Sequence, residues 1–371
     1  MNLFTQKEAC CGCGACAAVC PRDAISMLRD REGFDYPQVD AGLCVECGRC
    51  QTVCPVKNPG GESCHNTYLG ARAKADAVRF GSSSGGMFPL LAGPVLERGG
   101  AVWGAAFDQD MAVVHREALN LESLDALKRT KYVQSRMDRA FVRIRNRLEQ
   151  GQWVLFCGTP CQARALQLFL SKDYPTLLLV DLVCHGTPSP GMWESYIKYL
   201  QRRYGPLESF SFRDKRARDS GHTRAFVAGG QEHSAPLSQD LYIWPFLTGC
   251  TIRPSCHSCK FCTPQRQTDF TIGDFWGVEK VRPQADDGMG ISIMILHNDR
   301  AREYWRLVEG QTDCFSCTRE EILQPRLQGP APVGYRNAFM AAYQTLGFLS
   351  AAKLYHAAIG TFRAVKNLLG R

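Results

Sequence analysis

The sequence predicts a small cysteine-rich α+β module over residues 1–60, a larger α/β domain over 68–320 and a basic helical tail over 321–371. Three observations carry this division. Cys10, Cys13, Cys16 and Cys20-Pro21 recur at an offset of 34 as Cys44, Cys47, Cys50 and Cys54-Pro55. Beyond residue 68, strand-like and helix-like runs alternate. From Ile322 to Arg371 there are six Lys/Arg and no acidic residue. The 371 residues, 45% hydrophobic and 22% charged, hold enough apolar material for two cores, which excludes a disordered chain. The net charge of +8 is carried entirely beyond residue 60, since the first sixty residues hold six Lys/Arg against seven Asp/Glu. That balance favours anionic ligands. No helix-turn-helix, zinc-finger or RNP pattern accompanies it, so no nucleic-acid partner is expected.

The N-terminal repeat has the form C-x2-C-x2-C-x3-C-P, the bacterial ferredoxin pattern, in which three close thiolates hold one [4Fe–4S] cube and the fourth crosses to the other. Two copies make two clusters. Cys10, Cys13, Cys16 and Cys54 are expected to hold one, and Cys44, Cys47, Cys50 and Cys20 the other. Zinc knuckles are the alternative for C-x2-C spacing, but the duplication with both Cys-Pro pairs favours iron–sulfur. Cys11 falls outside this frame and is expected to be a bystander. Nineteen cysteines in a chain of this size point to chemistry rather than disulfides. The N-terminus lacks a basic and then apolar leader, and no run reaches 18 apolar residues, so a cytoplasmic location with reduced thiols is expected. VKNPGGESCHN, rich in Pro, Gly and polar residues, reads as a linker.

Within the α/β domain, AVWGAAFD and MAVVHREA read as a hairpin, DRAFVRIRNRLEQG as a helix and WVLFCG as a strand. CQARALQLFL follows as a helix, LLLVDLVCHG as a buried strand and GMWESYIKYLQRRYG as a helix. Cys161, Cys184, Cys256 and Cys259 fall where strands end or turns begin, an arrangement that can close a third cluster across the fold. On spacing alone Cys157, Cys250 and Cys262 are equally available. Cys314 and Cys317 have no companion motif and are expected to be incidental.

Neither G-x-G-x-x-G nor a Walker A sequence occurs, so any nucleotide must be held in another way. The loop from Gly81 to Gly86 precedes a helix expected to start near Met87, and a Gly/Ser loop at a helix N-terminus presents backbone N–H groups to a pyrophosphate. Arg79 before it and the Lys128, Arg129, Lys131 cluster strengthen that reading; for the basic cluster the alternative is a solvated face. Pro94 is expected to kink the helix after the loop.

Taken together, SSSGGMF, KYVQS, GTPCQ, DLVCHGTPSP, FRDK, RPSCHSCKF and DFTIGDFWG resemble the coenzyme F420 hydrogenase/dehydrogenase beta-subunit family, from residue 5 to about residue 320. The resemblance implies an α/β catalytic domain with a non-Rossmann FAD fold, preceded by a ferredoxin-like 2[4Fe–4S] domain. It places the third cluster on Cys161, Cys184, Cys256 and Cys259. For FAD it implies Arg79, Ser83, Ser84, Gly85, Gly86, Lys131, Tyr132, Gly158 and Thr159, with His185 and Lys131 as candidate catalytic groups. Gly221-His222 stands where relatives tend to have Gly-Trp, so the substrate pocket is expected to differ.

The expected function is an iron–sulfur flavoprotein oxidoreductase, passing electrons between ferredoxin-type clusters and FAD to reduce or oxidise a small organic substrate by hydride transfer. The alternative is an electron-input subunit that oxidises a reduced deazaflavin carrier for a partner enzyme. Expected partners are a small-molecule substrate and a ferredoxin or other redox protein. In the tail, Leu354, Ala358, Phe362, Val365 and Leu369 recur at helical spacing beside Lys353, Arg363 and Lys366. The ordinary reading is a helix packed on its own domain; the alternative is peripheral contact with an anionic membrane surface.

Overall fold

The computed structural model describes residues 3–61, 66–216 and 222–368, with the side chains of the last helix described through Ile359. In the first sixty residues β1 (Ile25–Arg29) and β2 (Asp35–Val39) form an antiparallel hairpin. Each cysteine repeat winds into one helical turn, Ala15–Ala18 and Arg49–Thr52. Gly14 and Gly48 precede those turns with φ of 75° and 73°, so the sequence repeat is also a repeat of backbone shape.

The larger domain opens with β3 (Thr67–Ala73) and α1 (Met87–Glu97). α1 continues through Pro94, which stands one turn from the C-terminus and forfeits a single intrahelical bond. β4 (Ala101–Phe107) and β5 (Val113–Ala118) make the expected hairpin. There follow α2 (Ala140–Glu149), β6 (Val154–Gly158), α3 (Pro160–Leu170), β7 (Leu177–Leu182) and α4 (Pro190–Tyr204). Both α3 and α4 start on a hydroxyl N-cap followed by proline, Thr159-Pro160 and Ser189-Pro190. β8 (Leu207–Asp214), β9 (Thr223–Ala228) and β10 (Gln231–Pro236) form a separate antiparallel meander. β11 (Phe270–Asp274), β12 (Ser292–Leu296) and β13 (Thr312–Cys317) complete the main sheet, and α5 (Arg336–Leu346) and α6 (Phe348–Leu368) close the chain.

The main sheet has the order β13-β3-β12-β11-β7-β6-β4-β5, with β11, β7, β6 and β4 mutually parallel and antiparallel strands on both flanks. Parallel strands bury both faces, and the alternation along them is visible in the cores. Leu155, Leu178 and Val180 join α1 and Trp305 on one side, while Val154, Phe156, Leu177 and Leu179 join α2 and α3 on the other. Ala15, Val19 and Val53 belong to that second core, so the N-terminal module is seated on one face of the sheet. The carboxyl ends of β6, β7 and β11 meet there at a common edge, where open α/β sheets place ligands.

The tail is helical, but its phase differs from expectation. Phe348, Ala351, Ala352 and Tyr355 are buried against α4 and α5, whereas Leu354 is 56% exposed and Ala358 is exposed too. Ring contacts of Phe348 with Tyr242 and Phe339, and of Tyr355 with Phe339, set the rotation, which the apolar count alone does not. The Phe362 and Val365 side chains, Leu369, and Gly221 of the Gly-His pair lie outside the described residues. Cys314 and Cys317 are three apart on β13, so their thiols leave opposite faces of the strand. Among the described residues no helix is long and apolar enough to cross a membrane.

Candidate functional site

In the N-terminal module, Cys10, Cys13, Cys16 and Cys54 surround a cavity of about 40 Å3, and Cys20, Cys44, Cys47 and Cys50 surround one of about 20 Å3. The members of each crossed set expected from the repeat lie together, and Cys11 and Cys50 line the first cavity as well. The hairpin β1–β2 and the two helical turns hold the repeats back to back, which brings the last cysteine of each to the first three of the other.

A third cavity, about 50 Å3, is walled by Cys11, Cys161, Cys184, Cys256, Cys259 and Cys262. Cys161 sits in the first turn of α3, Cys184 just past β7, and the last three on the loop before β11. Cys157 and Cys250 lie elsewhere: Cys157 faces the neighbouring cavity, and Cys250 is buried in the aromatic core. Cys11, expected to be a bystander, lines this cavity beside Cys161, and Cys262, left open by spacing, lines it beside Cys259. Burial pushes the Cys184 thiol well up and that of Cys256 to about 11, and the bond to Cys11 together with burial raises Cys161. Among the described residues no three His, Cys, Asp or Glu side chains converge on a single ion position. The sulfurs are instead arrayed around a desolvated space, a soft donor set that a metal group would deprotonate and a polynuclear one would fill.

Next to it lies a larger cavity, about 250 Å3, at the carboxyl ends of β6 and β11. Ser83, Ser84, Gly86, Lys131, Tyr132, Gly158 and Thr159 all line it. Arg79 and Gly85 do not. The Arg79 guanidinium makes two hydrogen bonds to Asp287, at 2.7 and 2.5 Å, and the Gly85 N–H donates to Ser292 Oγ at 3.0 Å. Both residues therefore brace the loop from behind. A Cβ on Gly85 would meet the Ala71 carbonyl at 2.4 Å, so only glycine lets the loop lie against β3. Lys215 completes the brace, donating to the carbonyls of Arg79 at 3.1 Å and Ser84 at 2.5 Å.

Lys131 Nζ donates to the carbonyls of Ala126 at 2.8 Å and Lys128 at 2.6 Å. Burial, aided by the charge of Arg129, lowers its ammonium to about 7. Arg129 itself has φ 65°, a left-handed backbone rare outside glycine, on the cavity rim. Beneath lies a network that motif reading missed. His115 Nε2 donates to the Cys157 carbonyl at 3.2 Å, and its Nδ1 accepts from Ser135 Oγ at 2.9 Å. Gln162 in turn donates to Ser135 Oγ at 2.9 Å and accepts from the Thr159 N–H at 3.0 Å. Burial pushes His115 down to about 4, leaving it neutral. Arg213, 2.6 Å from Asp274, was missed as well, although FRDK and IGDFWG contain the pair.

A smaller cavity of about 150 Å3 shares Lys131, Tyr132 and Thr159 with the large one and adds His185, Phe246, Trp276 and Arg326. His185 Nε2 donates to the Leu247 carbonyl at 3.0 Å, so Nδ1 carries the lone pair, and it is buried without a partner among the described residues. Arg326 Nε and Nη1 are likewise buried without partners among those residues.

Residues 151–314 match the family model for the C terminus of the coenzyme F420 hydrogenase/dehydrogenase beta chain. This segment is similar to that beta-subunit family. Residues 9–58 match the 4Fe-4S dicluster domain and carry all eight of the repeat's cysteines. The chain thus joins a dicluster ferredoxin domain to a beta-subunit segment of oxidoreductase type. A chain of the F420-reducing [NiFe] hydrogenase complex from Methanosarcina barkeri, in its xenon-derivatised structure, is similar with a TM-score of 0.48 and 18% identity, covering 79% of this chain and 91% of that one. A search of curated proteins finds no match. The matched segment supplies α3, β7, α4, the meander, the Cys256–Cys262 loop and β11, and so most of the walls of the cysteine-lined cavity and of the smaller neighbouring one, while most of the wall of the 250 Å3 cavity comes from residues before it.

Proposed function

We propose that the chain is an iron–sulfur flavoprotein oxidoreductase, joining the dicluster domain to a third [4Fe–4S] cluster on Cys161, Cys184, Cys256 and Cys259 and to a non-Rossmann FAD site in the larger cavity, and acting on a small organic substrate by hydride transfer. One observation carries this reading. The four cavities form an unbroken run in which each shares a wall residue with the next: Cys50, then Cys11, then Thr187. Bound in the last of them, FAD would supply the conversion between hydride and single-electron transfer. The chain's own residues do the rest. The 11-residue α1 turns its N-terminal residues Met87 and Phe88 to the cavity, so the unpaired N–H groups of its first turn favour a pyrophosphate there. Lys131 can give or take a proton near neutrality at the wall common to both cavities. His185 Nδ1 and Arg326 offer the substrate one acceptor and one cation.

A second reading, in which the chain oxidises a reduced deazaflavin carrier for a partner enzyme, is favoured by the exposed Cys47, which leaves the far end of the run open to a redox protein. A stable partner recovered by pull-down distinguishes it from the first. For either, anaerobic purification should give about twelve iron atoms and one FAD per chain. Cys256→Ser should remove about four iron atoms and spare the rest. Gly86→Val, at φ 90° and with its Cβ 3.0 Å from Val78, should lose flavin and keep iron. Unmodified protein holding only about eight iron atoms sinks the third cluster, and protein without flavin sinks the FAD site.

A further inference from the structure

Arg253 is 0% exposed, and among the described residues no carboxylate lies within salt-bridge distance of it. Its acceptors are neutral: Nε donates to the Cys10 carbonyl at 2.7 Å, Nη1 to Gln134 Oε1 at 2.9 Å and Nη2 to the Asp35 carbonyl at 2.9 Å. Nη2 is also 3.7 Å from Cys10 Sγ, and the guanidinium lies 4.1 Å over the Tyr36 ring. A fully buried cation without an anion costs several kcal/mol, so a countercharge is still required. The loaded Cys10 site supplies it, because a [4Fe–4S] core with four thiolates is a net anion that gains one more negative charge on reduction.

We propose that Arg253 is the counter-cation of the cluster held by Cys10, Cys13, Cys16 and Cys54, and that it raises the reduction potential of that cluster. This inference rests on the dicluster domain and not on the flavin. Reduction adds one electron, taken from an external redox protein, with no proton bound and no ligand lost. A fixed positive charge and an N–H···S bond favour the more negative state. Gly12, between Cys10 and Cys13, is the enabling residue: a Cβ there would stand 2.4 Å from Arg253 Nη1.

The test is an EPR-monitored titration with dithionite and mediators of the full chain in a Cys256→Ser background, where the signals left are those of the N-terminal clusters. Cys47→Ser, which dismantles the far cluster, assigns them. Arg253→Gln should lower the near cluster's reduced-to-oxidised ratio at fixed potential at least tenfold, about 59 mV for one electron, and leave the far cluster within about twofold. Arg253→Lys, which keeps the charge, should fall between Gln and the unmodified protein. An unchanged ratio in the iron-replete Gln protein overturns the proposal, as does a Lys protein shifted as far as Gln. Should Gln fail to load iron, Gly12→Ala, which displaces the guanidinium, must show the same downward shift, and its absence is equally fatal.

Discussion

A lysine whose ammonium has fallen to about 7 is costly to bury, and Lys131 meets part of that cost with two backbone carbonyls. The sign follows from linkage. Between about pH 7 and the ordinary lysine value near 10.4 the unfolded chain binds a proton that the folded chain does not, so stability contributed by this group rises with pH across that window and is lost as pH falls through 7. Lys215, lowered to about 8 by burial, acts in the same direction from a higher starting point. Flavin-free Lys131→Met protein should therefore lose up to about 1.4 kcal/mol per pH unit of the slope between pH 7 and 8, read by urea denaturation at each pH. An unchanged slope would place the titration elsewhere. Seven of the nine residues expected around FAD meet at one cavity, and each belongs to a short local motif: the loop before α1, the coil around Lys131, or the end of β6. Arg79 and Gly85 were misjudged because their partners, Asp287 and Ser292, lie about two hundred residues away. Nothing local announces such a pairing, and the same holds for the Cys11–Cys161 contact.

At the scale of elements, period and capping residues made the hairpin β4–β5, the strands β6 and β7 and the helices α2 to α4 legible. Each is a run whose buried residues follow one clear repeat. The tail shows the limit of that signal. An apolar stripe can be drawn through Leu354 and Ala358, yet the face that packs is Phe348, Ala351, Ala352 and Tyr355, and Tyr355 OH donates to Thr248 Oγ1 at 2.8 Å. Two candidate stripes differ by one residue of rotation, and the aromatic surface made by Tyr242 and Phe339 chooses between them. Truncation after residue 344 would expose that surface, losing about 1.5–3 kcal/mol for each large side chain no longer buried or covered. The shortened chain should appear mainly as insoluble protein, measured as the soluble fraction after expression. If it stays soluble and the full chain instead sediments with anionic vesicles at low salt but not high salt, the tail serves a membrane surface.

For the molecule as a whole, the chain's two ends are locked together across the sheet domain. Arg336, 6% exposed on α5, donates to Glu32 at 2.6 Å and to the Ile252 carbonyl at 3.1 Å, so one guanidinium bridges the dicluster domain and the segment that leads into Arg253. Glu32→Gln leaves that cation buried and unpaired and should cost about 3 kcal/mol, visible as a lower midpoint in urea. A loss below about 0.5 kcal/mol would mean that the pair is solvated like an ordinary surface bridge. The two-part architecture was readable from the cysteine repeat; the clamp was not, because its partners are 304 residues apart. That separation is also an interval of time. At about 5–20 residues per second of synthesis, roughly 15–60 s pass between the emergence of Glu32 and that of Arg336. For that interval Cys10, Cys11 and Cys13 have left the ribosome while Arg253 and the clamp that pack beside them are still being made, so this near end of the module remains open to iron donors, and to oxidants, until docking covers it, whereas Cys47 stays exposed throughout.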